Sequence, residues 1–332
     1  MLPPPQTFIK FLRVCGCKRR LIRGNDVMAI RRKKFTRFIP VYIMALPGLI
    51  YLFINNYLPM FGIIIAFKHL DFRLGILNSP WAGLDNFMFL FRTRDALTMT
   101  RNTILYNVAF FIIGTVLAFF TAVLLNEIRS KMATKFFQST ILIPHLMSWV
   151  VVGYLSFAFL ASDTGFINNT ILNWLGIEPV SWYTTGRYWP FILTIVQMWK
   201  SVGFTMIIYL AGIVSIDTGY YEAARIDGAN KWKQIVHITL PLLVPTILTL
   251  AMINVGRIFF SDFGLFFQIP RNSGILFNYT QTIDVFVFNA LMVRGDLAMS
   301  SAASVYQSIV GFILIVSVNA VIRRIRRENA LF

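Results

Sequence analysis

Residues 103–125 read TILYNVAFFIIGTVLAFFTAVLL, a run without one charged side chain. A helix needs about 20 apolar residues to cross the hydrocarbon of a bilayer, and this stretch supplies them. A helix that is apolar all round has no face to offer to water, so the segment predicts a membrane span. Working outward, similar stretches lie at 38–67, 136–161, 189–213, 238–260 and 302–321. Pro40, Pro47 and Pro59 fall in the first and Pro241 and Pro245 early in the fifth, where kinks are expected rather than breaks, because neighbouring helices can satisfy freed backbone groups.

The chain as a whole agrees. Of its 332 residues 57% are hydrophobic and 14% charged, against about a quarter charged in soluble domains. The predicted class is an all-α polytopic membrane protein of about six transmembrane helices.

The net charge of +17 raises the question of nucleic acid. With both termini in the cytoplasm, residues 1–37, 128–135, 218–235 and 322–332 hold 21 of the 31 Lys and Arg residues, and the external loops hold eight. This is the positive-inside pattern, so the charge is topology and no nucleic-acid partner is expected. The clusters Lys18-Arg19-Arg20 and Arg31 to Lys34 suit anionic lipid headgroups. The predicted organisation is a basic cytoplasmic tail at 1–37, a membrane domain at 38–323 and a second basic tail at 324–332. Nothing in the first tail has the apolar core of a cleavable signal peptide. Cys15 and Cys17 are read as incidental thiols, since disulfides are disfavoured in the cytoplasm and a structural zinc wants four ligands.

One loop between spans is unlike a connector. Residues 217–241 read DTGYYEAARIDGANKWKQIVHITLP. Asp217 or Thr218 can cap a short helix, Glu222 and Arg225 stand at i and i+3, and Gly228 suits the left-handed conformation that ends it. A helix, a sharp turn and a second helix into the fifth span are predicted over 217–235. Ala223 and Ala224 leave a low surface, while Tyr221, Ile226 and Trp232 offer anchors of the size favoured in interfaces.

Glu222-Ala223-Ala224, Gly228 and Ile238-Thr239-Leu240-Pro241 resemble the EAA motif of the membrane permease subunits of binding-protein-dependent ABC importers. The fuller string is similar to the sugar (maltose-type) branch. Trp81-Ala82-Gly83-Leu84-Asp85-Asn86-Phe87 resembles an element of sugar permeases, and Thr282 to Phe288, with Gly295-Asp296, is similar to the polysaccharide and oligosaccharide permease subfamily. The resemblance implies the ABC type I importer permease fold in a bacterial plasma (inner) membrane, and no catalysis in this chain. It implies a second homologous permease, two cytoplasmic ATPase subunits that bind ATP and Mg, and an extracytoplasmic solute-binding protein. Tyr221, Glu222, Ala223, Ala224, Arg225, Asp227, Gly228, Ala229, Trp232 and Pro241 would then form the surface that docks on an ATPase. The chain has no phosphate-binding loop of its own, so no cofactor is expected in it.

Polar groups inside spans are costly and default to functional candidates. Gln197, Lys200, Ser201 and Phe204 recur at helical spacing on the fourth span, and Asn254, Arg257, Ile258 and Ser261 on the fifth, so each set is expected on one helix face. The resemblance places sugar-contacting residues on these two helices. Ile258 departs from the polar residue expected there. Amides and hydroxyls suit sugar hydroxyls, and Phe204 or Trp199 could cover an apolar sugar face. Lys200 and Arg257 would favour carboxylates, which points to an oligosaccharide carrying uronic acids; the plainer reading pairs Arg257 with Asp262 or a residue of the partner permease, and has Lys200 snorkel or pair likewise. Neutral oligosaccharides are the alternative substrate. His69, His145 and His237 show no metal-ligand spacing and no hydrolytic motif is visible, which disfavours a membrane enzyme. Asp262 stands nearly alone as an intramembrane acid, which disfavours an ion-coupled transporter. Asp163, Glu178, Asp284 and Asp296 are expected outside, where they could meet the binding protein, although solvation alone explains them.

Overall fold

A computed structural model describes residues 38–325. The two basic tails, with Cys15 and Cys17, lie outside the described residues. The chain divides into two compact units, one ending at Phe61 and the other starting at Gly62.

The described part of the first unit is helical. α1 (Ile39–Leu52) starts with Pro40 in its first turn and carries Pro47 inside, and none of its residues is buried. Proline at the first turn loses a donor that has no partner anyway.

In the second unit the long helices are α2 (Arg94–Asn126), α3 (Lys131–Leu146), α4 (Trp149–Leu160), α5 (Trp189–Val214), α8 (Leu240–Gly256) and α11 (Leu297–Ile325). Between α5 and α8 lie the short helices α6 (Thr218–Ile226) and α7 (Lys231–Gln234); between α8 and α11 lie α9 (Phe263–Gln268) and α10 (Ile283–Met292). Among the described residues there is one isolated bridge, Lys68 to Trp81, and no strand. Among the described residues five stretches are long and apolar enough to cross a membrane, and a sixth is present if α3 and α4 count as one.

That sixth span is where the expectation of an unbroken helix over 136–161 fails. α3 and α4 meet at an angle of 96°. Pro144 sits in the last turn of α3, Met147 is extended, and the Ser148 hydroxyl accepts from the Val151 N–H to start α4. Both are ordinary stop and start signals.

The second span is longer than its apolar core. Thr93 caps it and the charged turn from Arg94 to Arg101 continues the same helix. The external connections carry short helices of their own, in keeping with their length.

Three buried clusters hold the unit. At the loop end, Phe119 and Val123 of α2 pack on Tyr209, Leu210 and Ile213 of α5 and Leu243 of α8. Toward the other end, Tyr106, Val152, Trp189, Leu265 and Phe266 form a second, and Met99, Phe259, Ile283, Phe286 and Ala303 a third. α3 and α5 pack closely at Gly203, where a Cβ would stand 2.3 Å from the Ile141 carbonyl oxygen. Small residues at helix contacts are how membrane helices gain packing without a hydrophobic drive.

Candidate functional sites

The loop after α5 is built from local signals. The Asp217 carboxylate accepts from the Gly219 N–H at 2.9 Å and opens α6. Gly228 ends it with φ +77°, and the Ala229 N–H returns to the Ala224 carbonyl at 2.8 Å. Asn230 then caps α7 through the Lys233 N–H. No atom lies within 4 Å of a Cβ added at Gly228, so its φ alone asks for glycine.

Glu222, Ala223, Arg225, Asp227 and Ile226 face solvent, Ile226 at 88% exposure, and Ala224 and Ala229 are half-buried. Two of the expected anchors also touch the protein itself, Trp232 while remaining 59% exposed. The Tyr221 and Thr239 hydroxyls share a hydrogen bond of 2.9 Å, and Trp232 stacks on Phe120 with ring centroids 6.5 Å apart. Lys231 reaches across to Glu127 at the end of α2, at 2.6 and 2.8 Å. Glu127 is thereby joined to the loop, with its side chain 48% exposed. Between the loop and the end of α2 lies a cavity of about 660 Å³, lined by Glu127, Arg129, Glu222, Arg225, Lys231 and Gln234 among others. Pro241 is exposed in the first turn of α8.

Inside the spans the two predicted basic residues part company. Lys200 is 8% exposed, and its ammonium donates to the carbonyls of Pro144 (3.3 Å), His145 (2.9 Å) and Met147 (2.5 Å). It closes the end of α3, whose last carbonyls have no helical partner. The same ammonium lies 5.0 Å from the centroid of the Trp149 ring, and the Trp149 Nε1 donates to Asp262 at 2.9 Å. Asp262 thus meets Lys200 through a tryptophan, and Arg257 does not pair with it.

Arg257 is exposed and has no ion-pair partner among the described residues. It is the residue that ends α8, which stops at Gly256. The expected single face of Asn254, Arg257, Ile258 and Ser261 does not exist: residues 257–259 form a turn and the last two lie beyond the helix. The physical reason is a set of distant partners for the unwound backbone. The Asn107 amide on α2 donates to the carbonyls of Ile258 (3.0 Å) and Phe260 (3.1 Å), and Gln307 on α11 to Phe259 (2.6 Å). Ser261 gives its N–H and hydroxyl to the Asp284 carboxylate, both at 2.7 Å. Asp284 faces inward with its charge engaged, contrary to the external role expected of it.

On α5, Gln197, Ser201 and Phe204 do share the helix with Lys200. The Gln197 Oε1 is buried without a partner, the Ser201 hydroxyl donates to the Gln197 carbonyl, and Phe204 stacks on His145 at 4.9 Å. Asn254 is exposed and donates to Leu250. The Trp81 to Phe87 stretch serves the fold, since the Asn86 amide holds the carbonyls of Ala66 and Lys68, both at 2.9 Å.

An all-helical bundle with a capped, glycine-turned loop between two spans matches a known family over residues 75–327, the inner membrane component of binding-protein-dependent transport systems. The chain belongs to that family. It is 35% identical over 297 residues to the polygalacturonan/rhamnogalacturonan transport system permease protein YteP of Bacillus subtilis, covering 87% of this chain and 89% of the relative. Protein LplB of the same organism is 31% identical over 301 residues, covering 91% and 92%. A chain in the crystal structure of a bacterial ABC transporter involved in the import of the acidic polysaccharide alginate superposes with a TM-score of 0.80 at 31% identity, covering 89% of this chain and 98% of that one. The family read from Glu222-Ala223-Ala224, Gly228 and Leu240-Pro241 is the one found, with its permease fold. In this permease subunit the loop is tied to the end of α2 through Glu127–Lys231 and to the residue before α8 through Tyr221–Thr239.

Proposed function

We propose that this permease carries oligosaccharides bearing uronic acids across the bacterial inner membrane, receiving them from an extracytoplasmic solute-binding protein. The observation that carries the substrate class is Arg257: an exposed guanidinium at the end of α8, with no ion-pair partner among the described residues. Arginine grips a carboxylate through two parallel hydrogen bonds. Lys200 contributes no second cation to the path, because its protons are spent on three carbonyls. The named cargo of YteP and of the alginate importer, both acidic polysaccharides, supports the same reading.

ATP hydrolysis belongs to two partner subunits that bind ATP and Mg, and a second homologous permease completes the path. α6 and its turn dock on an ATPase, with Glu222, Ala223, Arg225, Ile226 and Asp227 outward. Because the loop is tied to α2 and α8, closure of the ATPases would swing those helices as a rigid body and open the path to each side in turn. The excess of Lys and Arg in the loop and the two tails supports a cytoplasmic side for all three.

The test is uptake of a uronate oligosaccharide and of its neutral counterpart by Arg257→Gln. Selective loss of the uronate is expected, and equal loss of both sinks the charge reading. The amides of Gln197 and Asn254 favour the second reading, a neutral oligosaccharide, as do relatives named for starch degradation products and for trehalose/maltose.

A further inference from the structure

α9 ends at Gln268, and the two residues that follow Pro270 both stand in the left-handed region: Arg271 at φ +54° and Asn272 at φ +49°. Neither is glycine, so the turn holds them there at a cost. What holds them is visible. The Asn272 and Asn289 amides exchange two hydrogen bonds of 2.9 Å, and the Asn272 N–H reaches the Phe267 carbonyl at 3.0 Å.

The strained turn puts the Arg271 guanidinium over the ring of Phe157 on α4, 4.3 Å from the centroid. Stacking uses the flat face of the group and leaves its N–H donors free in the plane. Among the described residues none of those donors meets an acceptor, although Arg271 is exposed. Tyr183, which feels the guanidinium charge, does not offset it: burial pushes its hydroxyl up to about 12, Arg271 pulling the other way.

Between α4 and α9 the turn closes a cavity of about 240 Å³ lined by Tyr154, Phe157, Phe267, Gln268, Arg271 and Asn272 with Val150 and Gly153. Sites for drug-sized molecules run to about 300–1,000 Å³, so this one takes a single ring. Tyr154 is 71% exposed and offers a platform, and the Gln268 amide has no partner among the described residues. Aromatic faces, a free amide and an unspent planar cation are together the chemistry that recognises an acidic sugar. The cavity lies on the segment that follows α8, at the end of the spans away from the 217–239 loop.

We infer that this cavity is a separate subsite that receives one uronate ring of the oligosaccharide, with Tyr154 against the ring and Arg271 on its carboxylate. The inference rests on the uronate reading of the function. It assigns the outer end of the path a grip of its own, ahead of Arg257.

The test measures the concentration dependence of uptake of labelled trigalacturonate by cells in which this chain is replaced by Arg271→Asn, Arg271→Lys or Tyr154→Ala. Asparagine tolerates the left-handed backbone and removes the guanidinium. Loss of a charged hydrogen-bond pair predicts a half-saturating concentration raised about tenfold in R271N, partly recovered in R271K and raised severalfold in Y154A. Wild-type values in R271N and Y154A overturn the subsite and leave the function reading standing. Wild-type cells that take up no trigalacturonate or other uronate oligosaccharide overturn the function reading and this inference with it. If R271N failed to reach the membrane, Tyr154→Ala decides alone, since that side chain packs against little.

Discussion

The chain stops and restarts a helix both in the 217–239 loop and between α3 and α4, and the two are built differently. In the 217–239 loop every device is local: Asp217 and Asn230 cap, and Gly228 turns with φ +77°. At the α3–α4 break only the restart is local, through Ser148. The three carbonyls that the break exposes are taken by Lys200, more than 50 residues further along the chain. Water can solvate a helix end at a membrane surface, so short-range signals suffice there. Inside a bilayer each freed carbonyl needs a protein donor, and the donor comes from whichever helix packs alongside.

The largest effect follows from that difference. Lys200→Met leaves the carbonyls of His145 and Met147 without a donor, while the Pro144 carbonyl keeps the Met147 N–H, at a cost of about 2 kcal/mol or more. Thermal unfolding of the purified protein should show it as a marked loss of stability, and uptake should fall equally for acidic and neutral sugars. A stable Lys200→Met variant that lost only acidic sugars would restore Lys200 to the substrate path and break the comparison.

Gly228→Val probes the other region. The cost is backbone strain alone, because the space around the position is open, and it amounts to about 1–2 kcal/mol confined to the turn. Unfolding of the whole protein should barely change, while ATP hydrolysis by the assembled transporter should lose its dependence on substrate and uptake should fall. Retention of assembly, stimulated hydrolysis and uptake together would remove the docking role of the loop.

The same contrast explains what could be read in advance. The loop's caps, its glycine and its following proline are neighbours in sequence, and its fold was legible down to the turn. The apolar runs gave the spans for the same reason. The face of Asn254, Arg257, Ile258 and Ser261 was not legible, because unwinding after Gly256 depends on Asn107, Gln307 and Asp284 from three other elements. Helical spacing assumes the helix continues, and nothing local at Arg257 says that it stops. Lys200 misled in the same way: a buried cation is equally costly whether its partner is a substrate or a helix end. The break itself left a signal that could have been used, Pro144 four residues before Ser148.

The smallest effect tests how the loop is fastened. Glu127 and Lys231 form a close pair, but their side chains are 48% and 57% exposed, and such pairs contribute at most about 1 kcal/mol and weaken with salt. Glu127→Gln should therefore leave thermal stability within that margin. Its effect should appear instead in coupling: uptake per ATP hydrolysed falls modestly at low ionic strength, and the deficit shrinks as salt is raised, because the wild-type pair is then screened as well. A deficit that persisted unchanged at high salt would mean that α2 and the loop are joined through Trp232 on Phe120 and not through charge. Trp232→Ala is the matching variant, and packing of two rings is insensitive to salt, so the two substitutions separate the fastenings by their ionic-strength dependence alone.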